Sequence, residues 1–232
     1  MNTAILSHAG APPATPAPNE ERRVLAATLV GTAIEWYDFF IYAQAAGLYL
    51  AAVFFSGLAQ DNPGLALILS FATVGISFLF RPLGAIVCGW LGDRYGRKFV
   101  LVLTLLLMGA STTLIGLLPG YAAIGIWAPI ALIALRIVQG FSAGGEWGGA
   151  ALLAVEHAPA HRRSLFGSFP QIGVPLGLLL ATGVTLLITL LIGKQAYAEW
   201  GWRIPFVLSF LLIVVGVLIR RGGEERLIRA RF

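Results

Sequence analysis

Five ionisable side chains stand where the surrounding sequence is otherwise apolar: Glu35, Asp38, Arg81, Arg136 and Glu146. At the centre of a bilayer an Asp, Lys or Arg costs at least about 2.5–3.5 kcal/mol, so such groups turn toward a polar cavity or toward one another. Three carboxylates face two guanidinium groups, and arginine does not give up its proton. Charge balance therefore leaves one acid without a cation. Burial penalises its charged form, so that acid is expected to load and unload a proton near neutral pH. Proton coupling needs an acid of this kind, competing for arginine with a substrate or with another acid. The plainer alternative is structural, with buried pairs holding helices together. Trp36, Tyr37 and Trp147 flank the acids and are placed to stack on a planar substrate.

The elements that must carry these residues follow from composition. The 232 residues are 58% hydrophobic and 12% charged, with mean hydropathy +0.83. A soluble domain is about 25% charged, so the bilayer is the expected solvent. A helix crossing about 30 Å of hydrocarbon needs roughly 20 apolar residues. Six stretches qualify, at about 24–55, 64–91, 99–118, 124–155, 165–192 and 202–219. Continuous apolar runs such as Val100 to Met108 exclude the alternating strands of a membrane barrel. At about 1.5 Å per residue, Glu35, Arg81 and Glu146 each lie roughly 15–18 Å from the same membrane edge, near the midplane. Asp38 is about 22 Å up on the Glu35 face, and Arg136 is higher still, with Asp38 its nearest acid in depth.

Twelve of the 16 Lys and Arg fall on one side: Arg22, Arg23, Arg94, Arg97, Lys98, Arg162, Arg163, Arg220, Arg221, Arg226, Arg229 and Arg231. The positive-inside rule then puts both termini in the cytoplasm. This distribution explains the net charge of +5 and removes a nucleic-acid partner. The expected organisation is a disordered cytoplasmic tail at 1–22, a six-helix bundle at 23–221 and a cytoplasmic stub at 222–232. A single cysteine, Cys88, cannot form an internal disulfide, and the histidines His8, His157 and His161 make no metal cluster. No cofactor and no metal are expected. Glycines dense in 140–149 and 167–183 suit close helix packing. Glu35-Trp36 and Glu146-Trp147, three spans apart, are consistent with two inverted three-helix repeats.

The link between spans two and three reads Gly89-Trp90-Leu91-Gly92-Asp93-Arg94-Tyr95-Gly96-Arg97-Lys98. It resembles the G-x-L-x-D-R-x-G-R-K signature of the major facilitator superfamily. The resemblance implies a gating role for Gly89, Asp93, Arg94, Gly96, Arg97 and Lys98, with Glu156 as the natural partner of Arg97. Arg136-Ile137-Val138-Gln139-Gly140 resembles the R-x-x-Q-G motif of proton-coupled members, which adds Gln139 to the candidate site. With Gly144-Gly145-Glu146-Trp147, Glu35-Trp36-Tyr37-Asp38 and Arg81-Pro82-Leu83-Gly84, the chain is similar to the metabolite:proton symporters, which include permeases for shikimate, α-ketoglutarate, citrate and proline or betaine.

The fold so implied is an all-α membrane protein, the N-terminal half of a major facilitator fold in the inner (plasma) membrane. Its expected partners are lipid, a small metabolite, protons and a missing C-terminal six-helix half. Because family members have about twelve spans, three readings stay open: a symporter half, a non-transporting fragment or partner subunit of a larger transporter, and a proton-coupled drug exporter. An enzyme is not expected, since no nucleophile–His pair or metal-ligand cluster is present.

Overall fold

The computed structural model describes residues 18–59, 62–156 and 162–229. Among them the chain is helical, with six long helices. Helix α1 spans Pro18–Ala45 and continues as a π-helix over Ala46–Phe55 and a last turn, Ser56–Ala59. Helix α2 is Pro63–Tyr95, α3 Arg97–Leu117, α4 Trp127–Glu156, α5 Arg163–Ile192 and α6 Ile204–Arg229. Short helical turns, Tyr121–Ile124, Lys194–Glu199 and Gly201–Arg203, join them at the end of the bundle that holds Trp202. Helix α1 begins within the expected 1–22 tail and α6 runs on into the expected 222–232 stub. Hydropathy marks only the lipid-soluble part of a helix, whereas backbone hydrogen bonding carries it further.

Five helices are long and apolar enough to cross a membrane: Leu29–Ala59, Pro63–Tyr95, Phe99–Leu117, Trp127–Glu146 and Gln171–Ile192. The apolar part of the sixth, Gly201–Val215, is shorter among the described residues. The outer surface is apolar, with Leu79, Leu179, Leu190 and Leu191 largely exposed, while Thr, Ser, Glu, Asp, Arg and Gln side chains are buried. That inversion suits a lipid solvent, and the chain is a multi-pass membrane protein.

Packing follows a repeated pattern. Helix α2 packs most extensively on α4 and α1 on α5, while α3 packs on α4 and α6, and α1 also on α6. Exchanging α1 with α4, α2 with α5 and α3 with α6 maps this set of contacts onto itself, as two inverted three-helix repeats require. Glycines make the two tightest contacts. On α4, Gly140 lies against the Ser77 carbonyl and Gly144 against that of Arg81; on α5, Gly173 and Gly177 lie against Thr32, Ala33 and Trp36 of α1. Each pair is spaced G-x-x-x-G, one turn apart, so that backbone meets backbone.

Helix ends have local causes. Asn62 caps α2, its Oδ1 accepting from the Leu65 N–H at 3.2 Å, with Pro63 at the first helical position. Between α2 and α3 the turn is made by Gly96 alone, at φ +94°, a conformation that side-chain-bearing residues avoid. The π-helical stretch of α1 was not legible in the sequence. Its Ala46 carbonyl accepts from Ser70 Oγ of α2 at 2.8 Å, one of the side-chain contacts that satisfy carbonyls in an irregular helix.

A Cβ at position 140 would collide with the Ser77 backbone, whereas one at Gly75 meets nothing within 4 Å. Gly140→Val is therefore expected to lower stability by about 3 kcal/mol or more, and Gly75→Ala to leave it within about 0.5 kcal/mol or raise it. Thermal unfolding of the detergent-solubilised protein checks both.

Candidate functional site

The charged residues singled out by the sequence turn inward. Glu35, Asp38, Arg136, Gln139 and Glu146 are all at most 5% exposed, and Arg81 is partly exposed. They share one electrostatic neighbourhood: Glu35 interacts with Arg81, Asp38 with Glu146, and Arg81 with Arg136. All but Arg81 are enclosed by the bundle.

Asp38 lies where α1, α3 and α6 meet. Its Oδ1 accepts from Ser209 Oγ at 2.6 Å and its Oδ2 from Thr112 Oγ1 at 2.9 Å. Thr112 Oγ1 accepts in turn from Gln139 Nε2 at 2.6 Å, and Gln139 Oε1 accepts from Arg136 Nη1 at 2.6 Å. The guanidinium also donates from Nε to the Thr73 carbonyl at 3.2 Å and stacks on the Tyr42 ring, 3.7 Å from its centroid. Tyr42 hydrogen-bonds Thr73 Oγ1. What stands between Arg136 and Asp38 is therefore Gln139 and Thr112, and every donor in the chain points toward the acid.

Thr112 gives this chain two settings. Its hydroxyl hydrogen is within reach of both Asp38 Oδ2 and, at 3.0 Å, the Met108 carbonyl. One hydrogen serves one acceptor at full strength. Directed at Asp38 it stabilises a carboxylate, because an ionised acid only accepts. Turned to Met108 it frees a lone pair on Oγ1 to accept from a protonated Asp38. Both protonation states thus find a complete set of partners with no helix moving.

The second arginine is held differently. The Arg81 guanidinium lies 4.5 Å from the Phe78 ring centroid. Phe78 contacts Phe39 edge to face at 5.5 Å, and Phe39 contacts Trp36 and Phe40 at 5.4 and 5.5 Å. Arg81 therefore ends a row of aromatic rings along α1 and α2. Its Nε and the Trp36 Nε1 have no hydrogen-bond partner. Trp36 is half-buried, its ring against those of Phe39 and Phe40. Tyr37 is 1% exposed and its hydroxyl donates to the Pro205 carbonyl at 2.8 Å. The Trp147, Arg97, Lys98 and Glu156 side chains, and His8, His157 and His161, lie outside the described residues. Of the gating motif, Asp93 and Arg94 are exposed at the end of α2, Arg94 lying 5.7 Å from the Trp90 ring. Gly89 has open space about it, and Gly96 makes the turn.

Sequence reasoning missed Thr112, Ser209, Thr73 and Tyr42. The available signal was hydroxyls in apolar spans, the run Ser111-Thr112-Thr113 and the lone Ser209. What it could not supply is which of them reach the acid. Among the described residues no group of three or more His, Cys, Asp or Glu is arranged to hold a metal.

The sequence model of the sugar (and other) transporter family matches residues 24–221. The chain is 50% identical over 207 residues to the inner membrane metabolite transport protein YhjE of Escherichia coli, covering 89% of this chain and 46% of YhjE. It is 46% identical over 204 residues to the shikimate transporter of the same organism, covering 88% and 46%. The fold is similar to that of the inward-open xylose transporter XylE of E. coli, with TM-score 0.71, 18% identity, and coverage of 87% of this chain and 48% of XylE. The chain spans about half the length of the curated relatives it matches.

Replacing Gln139 by Leu leaves the Arg136 Nη1 donor without its acceptor and Thr112 without its donor. A loss of about 1–3 kcal/mol is expected, against less than 1 kcal/mol for Gln195→Leu, whose contact with Glu199 is exposed. Chemical or thermal denaturation of the two variants in detergent tests the difference.

Proposed function

Because the chain belongs to the sugar (and other) transporter family of the major facilitator superfamily, we propose that its six helices are the proton-coupling half of a symporter for small carboxylate-bearing metabolites. It is a transporter protein and not an enzyme. The carrying observation is Asp38, buried between three helices and met by a hydroxyl that suits either of its protonation states. In this reading Asp38 binds the coupling proton, and Gln139 and Thr112 relay the fixed charge of Arg136 to it. Glu35 and Glu146 complete the charge set, with Glu35 answering Arg81.

The two arginines divide the work. Arg136 is 2% exposed and occupied by Gln139, Thr73 and Tyr42, so it serves the coupling acid. Arg81 is partly exposed, keeps a donor without a partner, and adjoins the rings of Phe78, Phe39 and Trp36. It takes the substrate carboxylate, with the apolar body of the substrate against those rings. Zwitterions such as betaines present the same carboxylate. The excess of basic residues on one side supports a cytoplasmic position for both termini, in the inner membrane. Asp93, Arg94, Arg97, Lys98 and Glu156 there form the inner gate, with Gly89 of the same motif, and Gly96 lets the chain turn between its helices. Since the relatives are about twice as long, the full transport cycle is proposed for these helices together with a second six-helix half. Proton-driven drug export is the competing direction.

The test is uptake of labelled shikimate and glycine betaine into proteoliposomes acidified outside, with the chain alone and with a co-expressed C-terminal half of YhjE. Symport predicts gradient-driven accumulation, lost at least tenfold in Asp38→Asn while substrate exchange persists. Arg81→Gln is expected to raise the KM for the carboxylate at least tenfold. Gradient-driven efflux would favour the exporter. Absence of both flux and binding with either preparation would leave a non-transporting subunit.

A further inference from the structure

On the Trp202 side of Asp38, a cavity of about 140 Å³ lies between α1, α5 and α6, lined in part by Gln44, Thr182, Thr185, Tyr197, Trp202 and Phe206. Its polar groups are joined by long hydrogen bonds. Gln44 Nε2 donates to Thr182 Oγ1 at 3.3 Å, Thr185 Oγ1 donates to Gln44 Oε1 at 3.2 Å, and the Tyr197 hydroxyl reaches Thr185 Oγ1 only at 3.5 Å. Trp202 is 1% exposed, and its indole N–H has no acceptor. Leaving a buried donor unmet is costly, and a cavity of this size with several polar groups has room for water.

The position of the cavity relative to Asp38 gives it a use. Ile41 and Ala45, also in its lining, follow Asp38 by one and two turns on the same face of α1. Pro205 and Phe206 in its lining precede Ser209 by one turn on α6. The two helices that hold the Asp38 carboxylate thus continue into two walls of the cavity. Phe39 and Trp36 of the aromatic row are turned about 100° and 160° from Asp38 around α1. We propose that the cavity is a hydrated antechamber that delivers protons to Asp38 from the Trp202 end, by a route separate from the aromatic face that binds substrate. The proposal rests on Asp38 being the proton site.

The final transfer runs over Ser209. A hydrated proton passed on from the antechamber by one further turn of α6 bonds to Ser209 Oγ as the hydrogen already donated to Asp38 Oδ1 passes to the carboxylate. One O–H bond forms at Asp38, the serine O–H is renewed, and a neutral water remains. The groups facing Asp38 are the Ser209 hydroxyl from α6, the Thr112 hydroxyl from α3, and Glu146 from α4, with Arg136 acting through Gln139. Glu35, Tyr37 and Tyr42 share its own helix, and Arg81 of α2 interacts with Glu35.

The test reads the proton on Asp38 directly. The purified full chain in lipid nanodiscs is followed by infrared difference spectroscopy between neutral and acid pH, and the carboxylic-acid band lost in Asp38→Asn is assigned to Asp38. Its hydrogen–deuterium exchange is then timed after a switch to heavy water. Filling the cavity with Thr185→Phe is expected to keep the band and slow its exchange at least tenfold. Removing two hydroxyls while keeping shape, with Thr182→Val and Thr185→Val together, is expected to slow it about threefold. An unchanged exchange rate with the band present overturns the antechamber and leaves the coupling role of Asp38 standing; absence of any Asp38 band overturns both. Should the phenylalanine variant not fold, thiol labelling decides. In a Cys88→Ser background, Thr185→Cys is expected to react with a small membrane-impermeant thiosulfonate added from the Trp202 side, and the lipid-facing Leu187→Cys at a rate at least tenfold lower. Equal, or equally absent, labelling of the two overturns the proposal.

Discussion

An acid enclosed by helices in a hydrocarbon solvent has only the protein to solvate it, and the centre of this bundle is organised around meeting that need for Asp38. Its two oxygens draw one hydroxyl from α3 and one from α6 toward α1. Those hydroxyls sit on helices that pack against each other, and α6 also packs on α1. The carboxylate therefore stands at a three-helix junction, where a shift of any one helix disturbs a charge-assisted bond. In water such bonds would be replaced at little cost; in lipid there is no substitute. The position of Asp38 and the arrangement of these three helices therefore depend on one another.

Counting charges treats two arginines as equivalent, and their surroundings make them different. Arg136 is bonded at two nitrogens and covered by a tyrosine ring. Such a guanidinium acts as a fixed source of positive potential. Arg81 touches a phenylalanine ring at the end of an aromatic row and keeps a nitrogen without a bond. Its charge is met within the bundle by Glu35. The proposed division of labour between a coupling acid and a substrate contact rests on this difference between the two guanidinium groups.

The glycine pairs explain how so much polarity is kept inside so thin a bundle. Where α4 meets α2 and α5 meets α1, the absence of side chains brings backbones together, and the polar side chains of the same helices are pressed toward the bundle interior. The repeat symmetry applies to these contacts as well as to the helix order. The large apolar side chains gather elsewhere, around Leu50, Phe54, Ile115, Leu132, Trp202 and Phe206. That end of the bundle is an ordinary core, interrupted by the polar-walled cavity beside Trp202.

Much of this was legible from residue types alone. Hydropathy located the helices, because the number of apolar residues needed to cross lipid is set by bilayer thickness. Glycine density in 140–149 and 167–183 pointed to close helix packing, and the expense of burying charge marked Glu35, Asp38, Arg81, Arg136 and Glu146 as inward-facing. Other features depended on how helices rotate and cross, which a one-dimensional pattern does not record. Tyr37, adjacent to Asp38, turned out to be bonded to the Pro205 carbonyl, while Thr112 and Ser209, 74 and 171 positions away, reached the acid. The π-helical stretch of α1 likewise has no signature in its residues. Sequence by itself determined which groups must leave the lipid, since transfer energies belong to residue types. Only the tertiary structure decided which partners they found there, since hydrogen bonds are made within about 3 Å, between atoms that the chain brings together from different helices.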